Sequence, residues 1–112
     1  MKKVSFKKDK YLKARGGYSR FLDVFCHHCG TKILTYQKDG PGELKRMYLD
    51  RIIAPENLAR LQFSFIKDVP NLICRKCKYV LAIPYVYPKE KRNALRLFVG
   101  AITKKVKKMV DN

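Results

Sequence analysis

The chain has no apolar run long enough to cross a bilayer. The longest, Val80 to Tyr87, contains Pro84 and falls far short of the roughly 20 residues that a spanning helix needs. No export signal is expected either. Met1 to Arg20 is basic throughout and is followed only by Phe21-Leu22-Asp23-Val24-Phe25, too short and too interrupted for a signal-peptide core. A cytoplasmic protein with no membrane partner is expected. Catalytic groupings are lacking too. Ser5, Ser19 and Ser64 have no patterned histidine or carboxylate partner, and the two histidines are the adjacent His27 and His28. There is no G-x-x-x-x-G-K-[ST] phosphate loop, and the Gly40-Pro41-Gly42 turn runs into Glu43, the wrong sign for cradling phosphate. The expectation is a protein that is not an enzyme and takes no small-molecule substrate.

Acidic residues are scarce, nine against 26 Lys and Arg, for a net charge of +17. The excess sits at the ends. Residues 1–20 hold eight Lys/Arg against Asp9, and residues 89–112 hold eight against Glu90 and Asp111. Such blocks repel one another in isolation and point to a polyanionic partner, nucleic acid ahead of an anionic membrane surface. A merely solubilising surface is the plainer alternative. The candidate nucleic-acid-binding residues are Lys2, Lys3, Lys7, Lys8, Lys10, Lys13, Arg15 and Arg20 in the first block and Arg75, Lys76 and Lys78 around one cysteine pair. Lys104, Lys105, Lys107 and Lys108 complete the set near the C-terminus. Tyr11, Tyr18, Tyr36, Tyr79, Tyr85 and Tyr87 are candidates for stacking on unpaired bases. Tyr79, Tyr85 and Tyr87 alternate with apolar residues, and half-buried core tyrosines explain that pattern equally well.

What the chain does have is four cysteines in two identical spacings, Cys26-His27-His28-Cys29 and Cys74-Arg75-Lys76-Cys77. Each pair presents two thiols to one ion, and together they supply the four soft ligands of a closed tetrahedral zinc site. One structural Zn2+ per chain, held by Cys26, Cys29, Cys74 and Cys77, is expected, with no open position for catalysis. In a domain of 112 residues the burial of surface is modest, and metal binding adds directly to folding. His27 and His28 are read as surface residues of the turn. The pairs and their flanks resemble zinc-ribbon and zinc-knuckle proteins, in which C-x-x-C turns project from two β-hairpins onto one zinc. Two departures stand out. Lys78 occupies the place that Gly30 takes after the first pair, so the second knuckle is expected to be less regular, and 44 residues separate the pairs. The doubled C-x-x-C also resembles rubredoxin in outline, but the chain has no tryptophan and its charge of +17 does not suit that acidic family of electron carriers. A thiol oxidoreductase needs one pair at the start of a helix, whereas both pairs here lie between strand-like segments.

Residues 1–20 read as a basic arm, ordered only on a partner, in which Arg15-Gly16-Gly17 is one copy of an element of RNA-binding tails or simply a turn. Residues 21–88 read as the zinc-ribbon-like domain. Phe21–Phe25 and Lys32–Tyr36 flank the first pair as strands, and Leu72-Ile73 and Tyr79–Ile83 flank the second, with Pro84 ending central pairing. Between them lies a helical insert over about 40–66. Leu44, Met47, Tyr48 and Ile52 fall on one helical face and predict a helix over 42–51 with Lys45, Arg46, Asp50 and Arg51 facing water. Strand is the competing reading for Arg46–Ile53. Pro55 and Glu56 open a second short helix through about Leu61. Residues 89–112 form a basic helix or tail, since Leu95, Phe98, Ile102, Val106 and Met109 recur at helical spacing. Gly100 opposes that helix and leaves an edge strand over Arg96–Ile102 as the alternative.

The fold class expected is thus small α+β, a pair of hairpins sharing one four-cysteine zinc site. The function expected is RNA binding, as a ribosomal or ribosome-associated component. The alternatives are a DNA-binding transcription accessory protein and a zinc-stapled module that docks on an acidic protein.

Overall fold

A computed structural model describes residue 7, residues 9–14, residue 16 and residues 18–107. The apolar alternation around the first cysteine pair produces a hairpin of β1 (Ser19–Cys26) and β2 (Lys32–Asp39). Leu22 pairs with Tyr36 and Val24 with Leu34 in register, so one face of the hairpin is continuously apolar. The second cysteine pair joins β5 (Leu72–Ile73) to β6 (Val80–Tyr87) in the same way. Each hairpin recruits two more strands. The first sheet has the order β4-β2-β1-β8, with β4 at Ile52–Ala54 and β8 at Ile102–Val106, and the second has β3-β7-β6-β5, with β3 at Arg46–Tyr48 and β7 at Arg92–Leu97. Both are antiparallel in every pairing. Val24, Leu34, Tyr36 and Ile52 of the first sheet meet Met47, Leu72, Ala82 and Leu95 of the second in one core, which also takes in Cys26 and Cys74. Burial holds the Tyr36 hydroxyl in its protonated form well above the usual range, where it accepts the Tyr48 backbone N–H at 2.8 Å.

Several expectations are overturned. The helix over 42–51 is instead β3, one 3-10 turn at Leu49–Arg51 and β4, because Met47 and Tyr48 pair with Leu95 and Ala94 of β7 and the strand reading prevails. The short helix after Pro55 is present as α2 (Glu56–Ala59), continued by 3-10 turns. The C-terminal helix is replaced by β7 and β8. Gly100, at φ +73°, belongs to the turn between them, a conformation that glycine adopts freely. Lys104 and Lys105 therefore stand on an edge strand, opposite Val24 and Asp23, where exposed lysines discourage further strand addition. Met109 and Lys108 lie outside the described residues.

Pro84 lies inside β6 and pairs with Leu95. It does close the other side of the strand, for β5 reaches only to Ala82. The basic arm is also not free along its length. Lys10–Ala14 forms α1 with Leu12 buried, and Asp9 accepts the backbone N–H groups of Tyr11 and Leu12 at 3.0 and 3.3 Å. Among the described residues no helix is long and apolar enough to cross a membrane.

Candidate metal centre

Two backbone hydrogen bonds shape each C-x-x-C turn. In the first knuckle the Gly30 N–H donates to the Cys26 carbonyl at 2.9 Å and the Cys26 N–H to the Thr31 carbonyl at 2.8 Å. The second repeats them with Lys78 on Cys74 and Cys74 on Tyr79, both at 2.9 Å. Gly30 has φ +76° and Lys78 φ +68°. The expected irregularity of the second knuckle is therefore corrected, since lysine adopts the left-handed conformation that the turn demands. It does so at a steric cost of about 1–2 kcal/mol that glycine escapes, offset in part by glycine's greater loss of backbone freedom. Lys78→Gly is accordingly expected to stabilise the protein by roughly 0.5 kcal/mol, read as a rise in the melting temperature of metal-loaded protein. A lowered melting temperature would contradict this account of the turn.

The hairpin tips bring all four Sγ atoms within 4.8 Å of one another. Cys26 Sγ is 3.5 Å from Cys77 Sγ and Cys29 Sγ is 3.6 Å from Cys74 Sγ, so each close contact joins the two knuckles. All four cysteines are free, and these separations are far beyond the ~2.05 Å of a disulfide. Four sulfurs at about 2.3 Å from a central ion stand about 3.8 Å apart in a tetrahedron, which the cluster nearly matches. The donor set therefore fits a metal ion. Cys26 and Cys74 are fully buried while Cys29 and Cys77 are partly open.

Crowding divides the thiols. Cys29 is drawn down to about 6, chiefly by the Thr31 hydroxyl and backbone, which donate to its thiolate; the hydroxyl is 3.1 Å from the sulfur. Cys77 goes the other way, to about 12. The Tyr79 backbone N–H favours its thiolate, but burial and the three neighbouring sulfurs oppose a second negative charge. Four thiolates at such spacing are stable together only around a cation.

Cationic side chains frame the cluster. Arg75 Nη1 donates to the Lys32 carbonyl at 2.8 Å, tying the second knuckle to the start of β2, and Lys78 Nζ donates to the Arg75 carbonyl at 2.9 Å. Lys32 faces away, toward Asp23 at 3.1 Å. His28 lies flat on Tyr79, ring centroids 3.6 Å apart, so the histidine of one knuckle is fastened to the aromatic that follows the other. Tyr79 is thus an exposed stacking residue and not a core tyrosine.

The basic residues expected to bind nucleic acid stand on separate elements. Lys76 and Lys78 are exposed beside the cluster, Lys10 and Lys13 on α1, and Lys104, Lys105 and Lys107 on or just after β8. Lys7 turns inward. Its backbone exchanges hydrogen bonds with the Gln37 side chain at 2.7 and 2.9 Å, and its Nζ donates to the Asp50 carbonyl and to Gln62. Arg20 is half-buried over Tyr18. Lys2, Lys3, Lys8, Arg15 and Lys108 lie outside the described residues.

Sequence reasoning also missed two buried arginines. Arg51, expected to face water, is 1% exposed. Its Nε donates to Asp39 at 2.9 Å and its Nη2 to Asp9 at 2.6 Å. Burial by itself would loosen its proton, but these two bonds outweigh burial and hold it more firmly than in a free arginine. Arg92 pairs with Asp50 at 2.8 Å and lies between the rings of Tyr11 and Tyr48, at 3.8 and 3.7 Å.

No family model matches this chain, and no curated protein and no solved structure matches it either.

Proposed function

We propose that the protein is a non-catalytic, zinc-stapled protein that binds RNA, with ribosome association as the setting that best suits its form. Zinc is supported by the chemistry of the donor set, four thiolates in a closed tetrahedral arrangement with no position left for water. Reduced cytoplasmic thiols would supply it. The observation that carries RNA binding is the distribution of the acids. Asp9, Asp39, Asp50 and Glu90, four of the nine carboxylates, are turned onto buried Arg51 and Arg92. Among the described residues the fully exposed acids are then Glu43, Glu56 and Asp68, which the exposed lysines outnumber, and a polyanion is the partner that such a surface favours.

Metal analysis is expected to give one zinc per chain, and binding to structured RNA to weaken steeply with salt. If about six phosphates are neutralised, the slope of log K against log salt is roughly −4 to −5. Replacing Lys104, Lys105, Lys107 and Lys108 together by alanine should flatten the slope and leave the melt nearly unchanged. Iron in native material, or binding indifferent to salt, would count against the proposal. One observation favours a second reading, a protein-interaction module: Phe63 and Phe65 are 82% and 76% exposed.

A further inference from the structure

Arginine and tyrosine share the outer face of the second sheet. Register sets Arg46 opposite Arg96 and Arg96 opposite Ile83, Tyr48 opposite Ala94 and Ala94 opposite Tyr85, and Arg92 opposite Tyr87. Residues two apart on a strand share a face, so all of these stand on the side away from Met47 and Leu95, which point into the core. At one end of this face Tyr48 and Arg92 are buried and Tyr11 of α1 lies over Arg92. At the other end Arg46, Tyr85 and Tyr87 are half-buried and Arg96 is exposed. There the face opens into a groove of about 670 Å³ between β3, β6, β7 and β8.

Lys45, Arg46, Arg96 and Lys104 line this groove, together with the rings of Tyr85 and Phe98, and Glu43 is the one carboxylate among them. The two arginines are direct cross-strand neighbours of like charge, an arrangement that costs stability. Neither forms an ion pair among the described residues. Arg46 is held in place all the same, its Nε donating to Tyr85 Oη at 3.0 Å and its guanidinium 4.1 Å from the centre of the Tyr87 ring. A positioned guanidinium fork, a second one beside it and flanking lysines suit consecutive phosphates. Flat rings in the same groove suit bases, and only unpaired bases can reach them.

We propose that this groove binds an unpaired segment of RNA, with phosphates on Arg46, Arg96, Lys45 and Lys104 and bases against Tyr85 and Phe98. The inference rests on the RNA-binding reading above and gives that reading a site. An anion bridging Arg46 and Arg96 also removes their mutual repulsion, so the groove is better satisfied when occupied.

The test compares full-length metal-loaded protein with an Arg96→Ala/Lys104→Ala variant and with Tyr85→Leu, using fluorescence anisotropy on a short oligouridylate and on a blunt RNA duplex. The double variant is expected to bind the oligouridylate about tenfold more weakly, with a salt slope shallower by about 1.4, while duplex binding falls much less, by the share of Lys104 alone. Its melting temperature should stay level or rise, because the like-charge opposition is gone, which a merely structural role for Arg96 would not produce. Tyr85→Leu should cost the oligouridylate about five- to tenfold. Equal losses on duplex and single strand, or binding to phosphatidylserine vesicles lost with RNA binding intact, would overturn the groove. If the unaltered protein binds RNA and the variants bind as well, the groove alone fails; if it binds no RNA, the broader reading fails with it.

Discussion

Cys74→Ser is expected to leave the protein unfolded at ambient temperature. Cys74 is fully buried, its Sγ meets Cys29 across the hairpin interface at 3.6 Å, and its backbone anchors the second knuckle. A serine oxygen is a harder and shorter ligand that neither reaches the ion equally nor prefers it. Apparent binding energies of structural metals in such sites are on the order of 10–16 kcal/mol, against a total stability of about 5–15 kcal/mol for a domain. Loss of even part of that contribution removes the folded state. Circular dichroism and metal content read the result together, and chelation of the unaltered protein should reproduce it. An unchanged melt with metal still bound would mean that the two pairs do not share one ion.

Arg51→Met is expected to cost about 3–5 kcal/mol, because it leaves the Asp39 carboxylate buried without its cation. The Asp39 side chain is 3% exposed and, among the described residues, would keep the Ser19 hydroxyl and the Gln37 amide as partners. Arg51→Lys should rescue little, since one ammonium cannot reproduce the fork that engages Asp39 and Asp9 at once. Arg51→Met combined with Asp39→Asn should cost less than Arg51→Met alone. Urea unfolding of metal-loaded protein measures all three, and a loss below about 1 kcal/mol for Arg51→Met would refute the buried pair. The acid limb offers a further sign. Arg51 holds the Asp9 carboxyl below its ordinary value of 3.8, so the stability from this pair is fully present above that pH and is lost as pH falls below it. Arg51→Met should blunt that loss.

Much of the metal centre was legible because a C-x-x-C turn is a local object. The spacing sets both sulfurs on one side of the chain, and period-two alternation on each flank specifies hairpins, which is why Lys32, Leu72 and Ile73 bound strands as expected. A helix is expected after Pro88 because Leu95, Phe98, Ile102 and Val106 satisfy helical spacing. Leu95 and Ile102 satisfy strand pairing equally well once partners exist. Spacing alone does not decide between the two when Gly100 weakens the helix and a free strand edge is at hand.

The sequence by itself determined the four-sulfur cluster, the two hairpins that carry it and the excess of positive charge, for each depends on residue identity or on neighbours a few positions away. Only the tertiary structure decided that Arg92–Leu97 and Ile102–Val106 are strands, since β7 needs the edge of β6 opposite β5 and β8 needs the outer edge of β1. It likewise decided which cations are surface charges. Arg51 reads as solvated in any local window, and it is buried because Asp39 and Asp9, 12 and 42 residues away, close around its guanidinium. A buried charge is stable only where opposite charge converges on it, and that convergence arises from the path of the chain through space.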